Sequence, residues 1–366
     1  GWAIGGGALY LPENVGLPIG GDSGPKYIMF EVHYDNPTLR DDIVDSSGFR
    51  MTITPTLRTH NAGYMGVATF INEAGTFIPP GLSYGHNRAF MDGSCTKDVI
   101  PEDGIKIITS NLHMHTLGVA GSLRIIRDGV ELEPIESNWN YDFNYQNSIY
   151  HEDGRTIYAG DTLIMDCYYD SSSRDYLTIG GESTQEEMCS GGVMYYPSVG
   201  VFGGVTAKHE SSLENWLNDA QNAGYVDGNI TEAFTEWNFQ DLEFNQDLDG
   251  YEEFYSRLWD PSYSSYNRHY SFCGAFLNES SVISSDNATQ PIGFEEYDLN
   301  VFTCDDYDSD TDAVDVCIPD GPDLVPATTT MTGDETTTEM IDQPGNASMT
   351  GNMYVVMMTI IGFMFV

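Results

Sequence analysis

The sequence predicts an all-β protein built as an antiparallel, jelly-roll-like β-sandwich. Between residues 52 and 205, short runs of β-branched, aromatic and other apolar residues recur at close spacing and are separated by turn residues. The chain contains 38 glycines and is 12% aromatic, which suits many short strands joined by tight turns. The segment RDGV, residues 127–130, indicates a hairpin, because Asp128-Gly129 can adopt the positive φ of a two-residue turn.

The strands follow one another in a regular order. Residues 1–51 contain one clear strand, KYIMFEVHY, with Ile28, Phe30 and Val32 on one face. Residues 52–205 contain the strands of the sandwich itself, each an apolar run bounded by polar or glycine-containing joints. The predicted strand segments are GYMGVATF, GIKIITSNLHMH, SLRIIRDGVELEPI, TLIMDCYY and GGVMYYP.

The character of the chain changes after residue 205. Residues 206–317 are expected to form an acidic, partly helical extension, because ESSLENWLNDAQNA and EEFYSRLW have helical spacing. Residues 318–350 are rich in Thr and Pro and are expected to form a stalk. Residues 351–366 form an apolar tail that is short for a membrane helix, which needs about 20 residues. The tail therefore favours a lipid-anchor signal over a membrane helix.

Charge and cysteine content indicate the compartment of the protein. The net charge of −42 argues against a nucleic-acid partner, because phosphates require Lys and Arg. Six cysteines fit disulfides, and four N-x-S/T sequons fit glycosylation in the secretory pathway, at the cell surface or outside the cell. The sequon asparagines are Asn229, Asn278, Asn287 and Asn346. The opening GWAIGGGALYLP reads as the middle of a fold, so we expect a fragment lacking its N-terminal part.

The segment NLHMHTLG, residues 111–118, carries candidate metal ligands. In an extended chain His113 and His115 share one face, roughly 7 Å apart, while Met114 points to the core. This pair alone is more readily explained as two histidines on a solvated strand face. Met188 is a third candidate, because it follows two glutamates in a loop, where a core methionine is unusual. Two imidazoles and a thioether suit copper, above all Cu(I).

Cys189, beside Met188, has a candidate disulfide partner in Cys167 on TLIMDCYY. A bridge between them would close a loop of about 22 residues, stabilise the fold by roughly 3 kcal/mol and fix the position of Met188.

Segments spread in order over roughly residues 1–200 resemble the copper type II, ascorbate-dependent monooxygenases, most of all the dopamine β-monooxygenase-like branch. The resemblance implies two β-sandwich domains that face each other across a cleft, each holding one copper. Residues 1–51 would be the end of the electron-transfer sandwich and residues 52–205 the oxygen-binding sandwich. The matching segments are WAIGGGALYLPENVGLPIGG, YIMFEVHYDNP, DSSGFRMTITPTLRTHNAGYMG, CTKDVIPEDGIKIITSNLHMHTLG, RDGVELEPI, AGDTLIMDCYY and TIGGESTQEEMC.

The resemblance also implies ligands and a reaction. The oxygen-binding copper would take His113, His115 and Met188. The electron-transfer copper would take three histidines, of which His33 is one; no histidine precedes it, so this chain holds one complete copper site of two. Tyr195 matches a tyrosine of the dopamine-hydroxylating branch, where its role is catalytic or only structural. The implied reaction inserts one oxygen atom of O2 into a C–H bond of a small substrate, with ascorbate supplying two electrons.

Departures from the family pattern bear on the substrate. Asn111 replaces the Arg of members that hydroxylate glycine-extended peptides, and Ser190 and Gly192 replace their Asn and Tyr. A peptide carboxylate would lose its bidentate partner, so an aromatic amine is the closest analogy. Cys95 matches a family cysteine whose partner here would be Cys273, Cys304 or Cys317. The competing hypothesis is a catalytically inactive cell-surface glycoprotein of the same fold that binds copper or another ligand.

Overall fold

The predicted all-β class is confirmed by the structure, a computed structural model that describes residues 2–20, 31–36, 38–46, 48, 50–152, 154–275, 283–297 and 354–359. These residues form many short strands and a few short helices. The helices are α1 (Gly93–Val99), α2 (Glu210–Asn222), α3 (Ile230–Glu236) and α4 (Tyr251–Ser256).

The strands of the first half of the chain are β1 (Trp2–Ala3), β2 (Val15–Gly16), β3 (Glu31–Asp35), β4 (His60–Asn61), β5 (Gly63–Thr69), β6 (Phe77–Ile78), β7 (Gly85–Met91), β8 (Ile105–His113), β9 (Gly118–Arg127), β10 (Val130–Asn138), β11 (Ile149–Tyr150), β12 (Thr156–Ile157) and β13 (Thr162–Tyr169). Those of the second half are β14 (Thr178–Ile179), β15 (Ser190–Tyr196), β16 (Val201–Lys208), β17 (Val226–Asp227), β18 (Glu243–Phe244), β19 (His269–Ala275), β20 (Ile283–Ala288) and β21 (Tyr354–Thr359).

Two sheets form the sandwich. One has the strand order β10-β9-β13-β7, and the other has the order β11-β8-β15-β5-β16-β19-β20, with β12 also paired to β8. Their pairs are antiparallel except that of β16 with β5. The core lies between the sheets and includes Met65 and Val67 from the larger sheet and Leu123 and Met165 from the smaller one. Alternation of side chains along each strand leaves the other face of the larger sheet for function.

The predicted hairpin joins β9 to β10. Arg127 pairs with Val130, and the two residues between them have positive φ, 52° at Asp128 and 79° at Gly129. This is a two-residue turn whose twist matches that of the flanking strands.

The predicted strands and the observed strands agree closely in the sandwich. TLIMDCYY coincides with β13, and GYMGVATF covers β5. Of KYIMFEVHY, the structure describes only Glu31 onward, which lies in β3; residues 21–30 lie outside the described part of the chain.

The acidic extension packs onto the sandwich. The sequence places its start at residue 206, but β16 continues across that point to Lys208. The helical segment ESSLENWLNDAQNA corresponds to α2, whose Trp216 and Leu217 join the same core as the sheets. EEFYSRLW is helical only as far as Ser256 in α4, and its Trp259 also joins that core. The apolar face of the helices explains this placement, since it needs a partner surface to cover it.

Two disulfides tie these layers together. Cys167 in β13 is bonded to Cys189, just before β15, and so links the two sheets. Cys95 in α1 is bonded to Cys273 in β19. Of the three partners that the sequence left open for Cys95, the structure therefore shows Cys273. Cys304 and Cys317 lie outside the described residues.

The stalk and most of the tail lie outside the described residues. Residues 354–359 of the tail form β21, which pairs with β1 and β3. In the described ranges, no helix combines the length and the apolar character needed to cross a bilayer.

A carboxyl group is buried at the edge of the smaller sheet. Burial raises the pKa of Glu136 in β10 to about 7, although a hydrogen bond with Ser110 opposes the shift. Its Oε2 atom is shielded from solvent and accepts no hydrogen bond from the described residues. The protonated form is therefore favoured in the folded state.

Removing the inter-sheet disulfide should weaken the fold. We expect the Cys167→Ala, Cys189→Ala variant to lose about 3 kcal/mol of unfolding free energy, because the unfolded chain regains the freedom of the closed loop. Urea denaturation of the variant and the parent protein, with the Cys95–Cys273 bridge intact in both, measures the unfolding free energy. An unchanged unfolding free energy would contradict the constraint assigned to the bridge.

Glu136 should make stability fall as pH rises. Its folded pKa of about 7 exceeds its ordinary value of 4.5, so between these pH values the folded state binds more protons than the unfolded state. The stabilisation is complete below about pH 4.5 and is lost as pH rises through 7, by at most about 1.4 kcal/mol per pH unit. Denaturation across this range should give a flatter profile for Glu136→Gln than for the parent protein. Parallel profiles would show that Glu136 does not titrate in this way.

Candidate metal centre

The end of β8 places two imidazoles on the outer face of the larger sheet. Leu112 and Met114 are buried in the core, and Met114 is 0% exposed, as the sequence predicts. Because side chains alternate along an extended chain, His113 and His115 project to the opposite face. Their rings lie 5.3 Å apart with an interplanar angle of 76°.

The strand register brings the segment of Met188 beside the end of β8. Ser190 in β15 pairs with His113 in β8. Met188 lies two residues before Ser190, and His115 lies two residues after His113, so both follow directly on the last pair of the ladder. Continued alternation along both chains would put Met188 on the face of the histidines, and its role as the third ligand stays a prediction.

Glu187 links the segment of Met188 to the segment of His115 by hydrogen bonds just beyond the paired strands. Its Oε2 accepts a hydrogen bond from the backbone N–H of His115 at 2.8 Å, and its Oε1 accepts one from Leu117 at 2.6 Å. Burial raises the pKa of this carboxyl to about 8, opposed by hydrogen bonds from the backbone N–H groups of Leu117, His115 and Met188. Both carboxyl oxygens thus accept hydrogen bonds from backbone N–H groups.

Hydrogen bonds fix both imidazole rings. His113 Nδ1 lies 2.6 Å from Gln146 Oε1, and the Gln146 amide is oriented by donating to the Phe143 carbonyl at 2.8 Å. His115 Nδ1 lies 2.9 Å from the Glu186 carbonyl. Both partners are acceptors, so in the neutral rings Nδ1 carries the proton and Nε2 carries the lone pair. Metal-binding histidines are commonly oriented in this way.

The histidines are shielded from water. His113 is 4% exposed and His115 is 2% exposed, so they are not a pair on a solvated strand face. Phe143 approaches the His115 ring edge-on at 6.3 Å. The Tyr141 hydroxyl donates to the Met114 carbonyl at 2.7 Å and accepts from the Met114 N–H at 3.0 Å, which holds the backbone between the two histidines.

Sequence reasoning missed these supporting residues. Gln146 and Tyr141 lie in a connection between β10 and β11 that has no periodic pattern. Glu187 adjoins Met188 in the sequence, yet only the fold shows that its carboxyl reaches the backbone of the histidine segment.

The donor set fits copper. No group of three His, Cys, Asp or Glu side chains in the described part of the chain is arranged to hold a metal ion. A metal ion held by the histidine pair would need a ligand of another type, and the sequence predicts Met188. Because the Glu187 carboxyl bonds backbone N–H groups, the set offers borderline nitrogen and soft sulfur rather than hard oxygen, which suits Cu(I).

The other predicted site residues lie elsewhere. His33 lies in β3, and its assignment to a second copper stays a prediction. Tyr195 is fully buried on the core face, and its hydroxyl accepts a hydrogen bond from Val201 N–H at 3.2 Å. It therefore does not join the three candidate ligands.

The predicted glycosylation sites have different positions. Asn229 is exposed and caps α3 through a bond from Glu232 N–H to its side chain. Asn287 lies in the edge strand β20. Asn278 and Asn346 lie outside the described residues.

Two family models match the chain. Residues 60–215 match the C-terminal domain of the copper type II ascorbate-dependent monooxygenases, and residues 1–41 match their N-terminal domain. The first match contains all three candidate ligands, and the second contains His33.

Curated relatives match about half of the chain. MOXD1 homolog 1 of Drosophila melanogaster is 41% identical over 55% of this chain and 29% of its own length. Dopamine beta-hydroxylase of Canis lupus familiaris is 36% identical over 54% of the chain and 31% of its own length. Tyramine beta-hydroxylase of Caenorhabditis briggsae is 34% identical over 54% of the chain and 33% of its own length. The chain thus spans about a third of the length of these relatives.

Gln146 should control copper affinity through His113. In Gln146→Leu the acceptor that holds the proton on Nδ1 is lost, so we expect Cu(I) affinity to fall about 10- to 100-fold. Competition with a Cu(I) chelator measures the affinity. Gln240→Leu is the matched control, since Gln240 bonds Leu177 rather than either histidine. Equal affinity in both variants would contradict the role given to Gln146.

Proposed function

The chain belongs to the copper type II ascorbate-dependent monooxygenase family, and from this premise we propose that the protein hydroxylates a C–H bond of a small substrate with O2 and ascorbate. The observation that supports the proposal is the pair of buried imidazoles at the end of β8, each bonded through Nδ1, with Ser190 of β15 in register with His113. Met188, two residues before Ser190, is the proposed third ligand. Copper held by these three residues would supply one-electron chemistry toward O2.

The residues around the ligands prepare the site. Gln146 and the Glu186 carbonyl keep the protons on Nδ1, so that His113 and His115 present Nε2 as donors. The Met188 thioether favours the reduced metal because soft ligands prefer Cu(I). Glu187 bonds the backbone N–H groups of His115 and Leu117 with its two carboxyl oxygens, so it would not serve as a copper ligand. Phe143 and Tyr141 limit the access of water to this side of the pair.

A second copper would store the other electron from ascorbate. The family resemblance assigns His33 to it, and the N-terminal domain match over residues 1–41 supports that assignment. Two coppers therefore serve the complete catalytic core, one of them at His113, His115 and Met188.

The substrate proposal rests on the relatives. Among them are a tyramine beta-hydroxylase and a dopamine beta-hydroxylase, so a small aromatic amine is the first candidate. The competing function is a copper- or ligand-binding glycoprotein without turnover.

The protein is proposed to work in the secretory pathway or at the cell surface. Its two disulfides fit an oxidising compartment, and the four sequons fit glycosylation there. The apolar tail at residues 351–366 would attach it to the membrane by a lipid anchor or a helix. The charge of −42 leaves nucleic acid out of the proposed partners.

Replacing Met188 separates the two coppers and tests the function. In full-length protein, Met188→Ile should abolish ascorbate-dependent O2 uptake with phenethylamines while the histidine-only copper is retained, because isoleucine offers no donor atom. Copper analysis and an oxygen electrode measure both quantities. Met51→Ile, at an exposed position, is the control.

Unchanged turnover in Met188→Ile would refute the ligand role of Met188. Parent protein that binds copper but consumes no O2 with any member of a panel of small aromatics would favour the competing function.

A further inference from the structure

The residue that orients His113 also contacts a distant part of the chain. Through its side chain, Gln146 bonds Nδ1 of His113 at 2.6 Å. Through its backbone N–H, Gln146 donates a hydrogen bond to the Ile4 carbonyl at 3.0 Å. Gln146 is buried, with 8% of its surface exposed. One buried residue thus joins a candidate copper ligand to the backbone of Ile4.

The two ends of this connection match different domains of the family. Residues 3–10, here called the docking segment, lie within the N-terminal domain match over residues 1–41. Residues 139–147, here called the Gln146 loop, lie within the C-terminal domain match over residues 60–215. The contact between them is therefore a contact between parts of the chain that match two different domains.

A tight turn presents the docking segment to the loop. The Gly6 N–H donates to the Ala3 carbonyl at 2.9 Å, and Gly5 has a φ of 79°. A glycine with positive φ at the third residue is typical of a type II turn. The hydrogen bond of the turn uses the Ala3 carbonyl, so the Ile4 carbonyl can accept the bond from Gln146.

Gly5 packs directly on the backbone of the Gln146 loop. A Cβ at Gly5 would lie 2.3 Å from the Asn144 carbonyl oxygen and 2.7 Å from the Tyr145 Cα. Both atoms belong to the backbone, so no rotation of a side chain would relieve the overlap. The turn and the loop approach this closely only because residue 5 is glycine.

A second contact holds the docking segment against the same region. The Tyr150 hydroxyl accepts a hydrogen bond from the Tyr10 N–H at 2.8 Å and donates one to the Ala8 carbonyl at 3.4 Å. Tyr150 lies in β11, which pairs with β8, the strand that carries His113. The docking segment is thus attached near both of its ends.

Hydrogen bonds within the Gln146 loop connect its contact with Gly5 to its contact with His113. The Tyr145 N–H donates to the Asp142 carbonyl at 2.9 Å, and the Gln146 side-chain amide donates to the Phe143 carbonyl at 2.8 Å. The backbone that Gly5 touches therefore lies inside the same bonded loop that orients the Gln146 amide.

We propose that Gly5 is a positioning residue for the copper site, because its contact with the Gln146 loop holds the Gln146 side chain on His113. The docked turn fixes the loop backbone, and the loop fixes the Gln146 amide that keeps the proton of His113 on Nδ1. Docking of the segment and binding of copper favour each other by the same factor. His115 takes its Nδ1 bond from the Glu186 carbonyl instead. This inference rests on the proposed function, since it concerns the affinity of that site for copper.

Replacing Gly5 tests the contact in the full-length protein. In Gly5→Ala the new Cβ overlaps the Asn144 carbonyl, so we expect the Cu(I) affinity to fall about 10-fold, as for the loss of a ligand's hydrogen-bond partner. Gly20→Ala is the matched control, because Gly20 also has a positive φ, 70°, but no atom within 4 Å of its Cβ position. The control reproduces the backbone strain of alanine without the collision. Competition with a Cu(I) chelator measures the affinity.

A double variant shows whether Gly5 acts through Gln146. Once Gln146→Leu has removed the bond to His113, adding Gly5→Ala should change the Cu(I) affinity less than about 2-fold. A substitution that only weakens the fold elsewhere would lower the affinity by the same factor in both backgrounds, since the effects of independent sites add. Full additivity would therefore overturn the inference.

Hydrogen exchange gives a readout without copper. Because the Gln146 N–H is bonded to Ile4, Gly5→Ala should speed exchange of that amide at least about 10-fold in copper-free protein. Gly20→Ala should leave it unchanged. Mass spectrometry of peptides that cover residue 146 measures the exchange. Unchanged exchange in folded Gly5→Ala would show that the contact does not hold the loop.

Tyr150→Phe is a second variant that adds no atom to the contact. It removes both hydrogen bonds of the other attachment, so exchange at the Gln146 amide should rise and Cu(I) affinity should fall, each about 3-fold. Tyr263→Phe, at another partly exposed tyrosine, is the control. Where Gly5→Ala does not fold, unchanged values in Tyr150→Phe overturn the inference.

The outcomes separate this inference from the proposed function. Faster exchange at Gln146 and a Cu(I) affinity that depends on Gly5 support the inference even where the protein consumes no O2. Ascorbate-dependent O2 uptake with the same Cu(I) affinity in Gly5→Ala, Gly20→Ala and the parent protein overturns the inference and leaves the oxygenase standing. A parent protein that binds no Cu(I) overturns both.

Discussion

The antiparallel pairing of β8 with β15 is the constraint on which the candidate metal centre depends. It sets Ser190 opposite His113, so that the segments of Met188 and His115 both continue from the same end of the ladder. A slip of one residue would turn the ligands of one strand toward the core. Two features hold the register against such a slip: the Cys167–Cys189 bridge, which ties the approach to β15 to the other sheet, and Glu187, which bonds the backbone of the histidine segment.

Hydrogen bonds hold the buried imidazoles of the site in place. His113 and His115 are almost fully buried, and burying imidazoles is unfavourable unless their N–H groups are bonded. Gln146 and the Glu186 carbonyl meet that need at Nδ1 of the two rings. The hydrogen bonds that stabilise the buried imidazoles thus also orient them as candidate ligands. A network of this kind is rigid because each hydrogen bond restrains its neighbours.

The two faces of the larger sheet have different roles because side chains alternate along each strand. Met65, Val67 and Val193 face inward and bind the sheet to its partner. The residues between them face outward, and His113 lies on that face in register with Ser190. The register of the sheet therefore decides which residues share a face with the histidine.

The sequence by itself determined the fold class, the hairpin at Asp128-Gly129, the limits of β13 and the side to which His113 and Met114 point, because these depend on local turn chemistry and a period of two. The resemblance to the family assigned Met188 as a third candidate ligand. Only the tertiary structure decided that Gln146, Tyr141 and Glu187 bond the segment of His113 and His115, and that Cys273 is the partner of Cys95. It also decided that Tyr195 faces the core and that the helices share the core of the sandwich. These contacts join residues far apart in the chain, and no local pattern of apolar or turn residues encodes which distant groups meet.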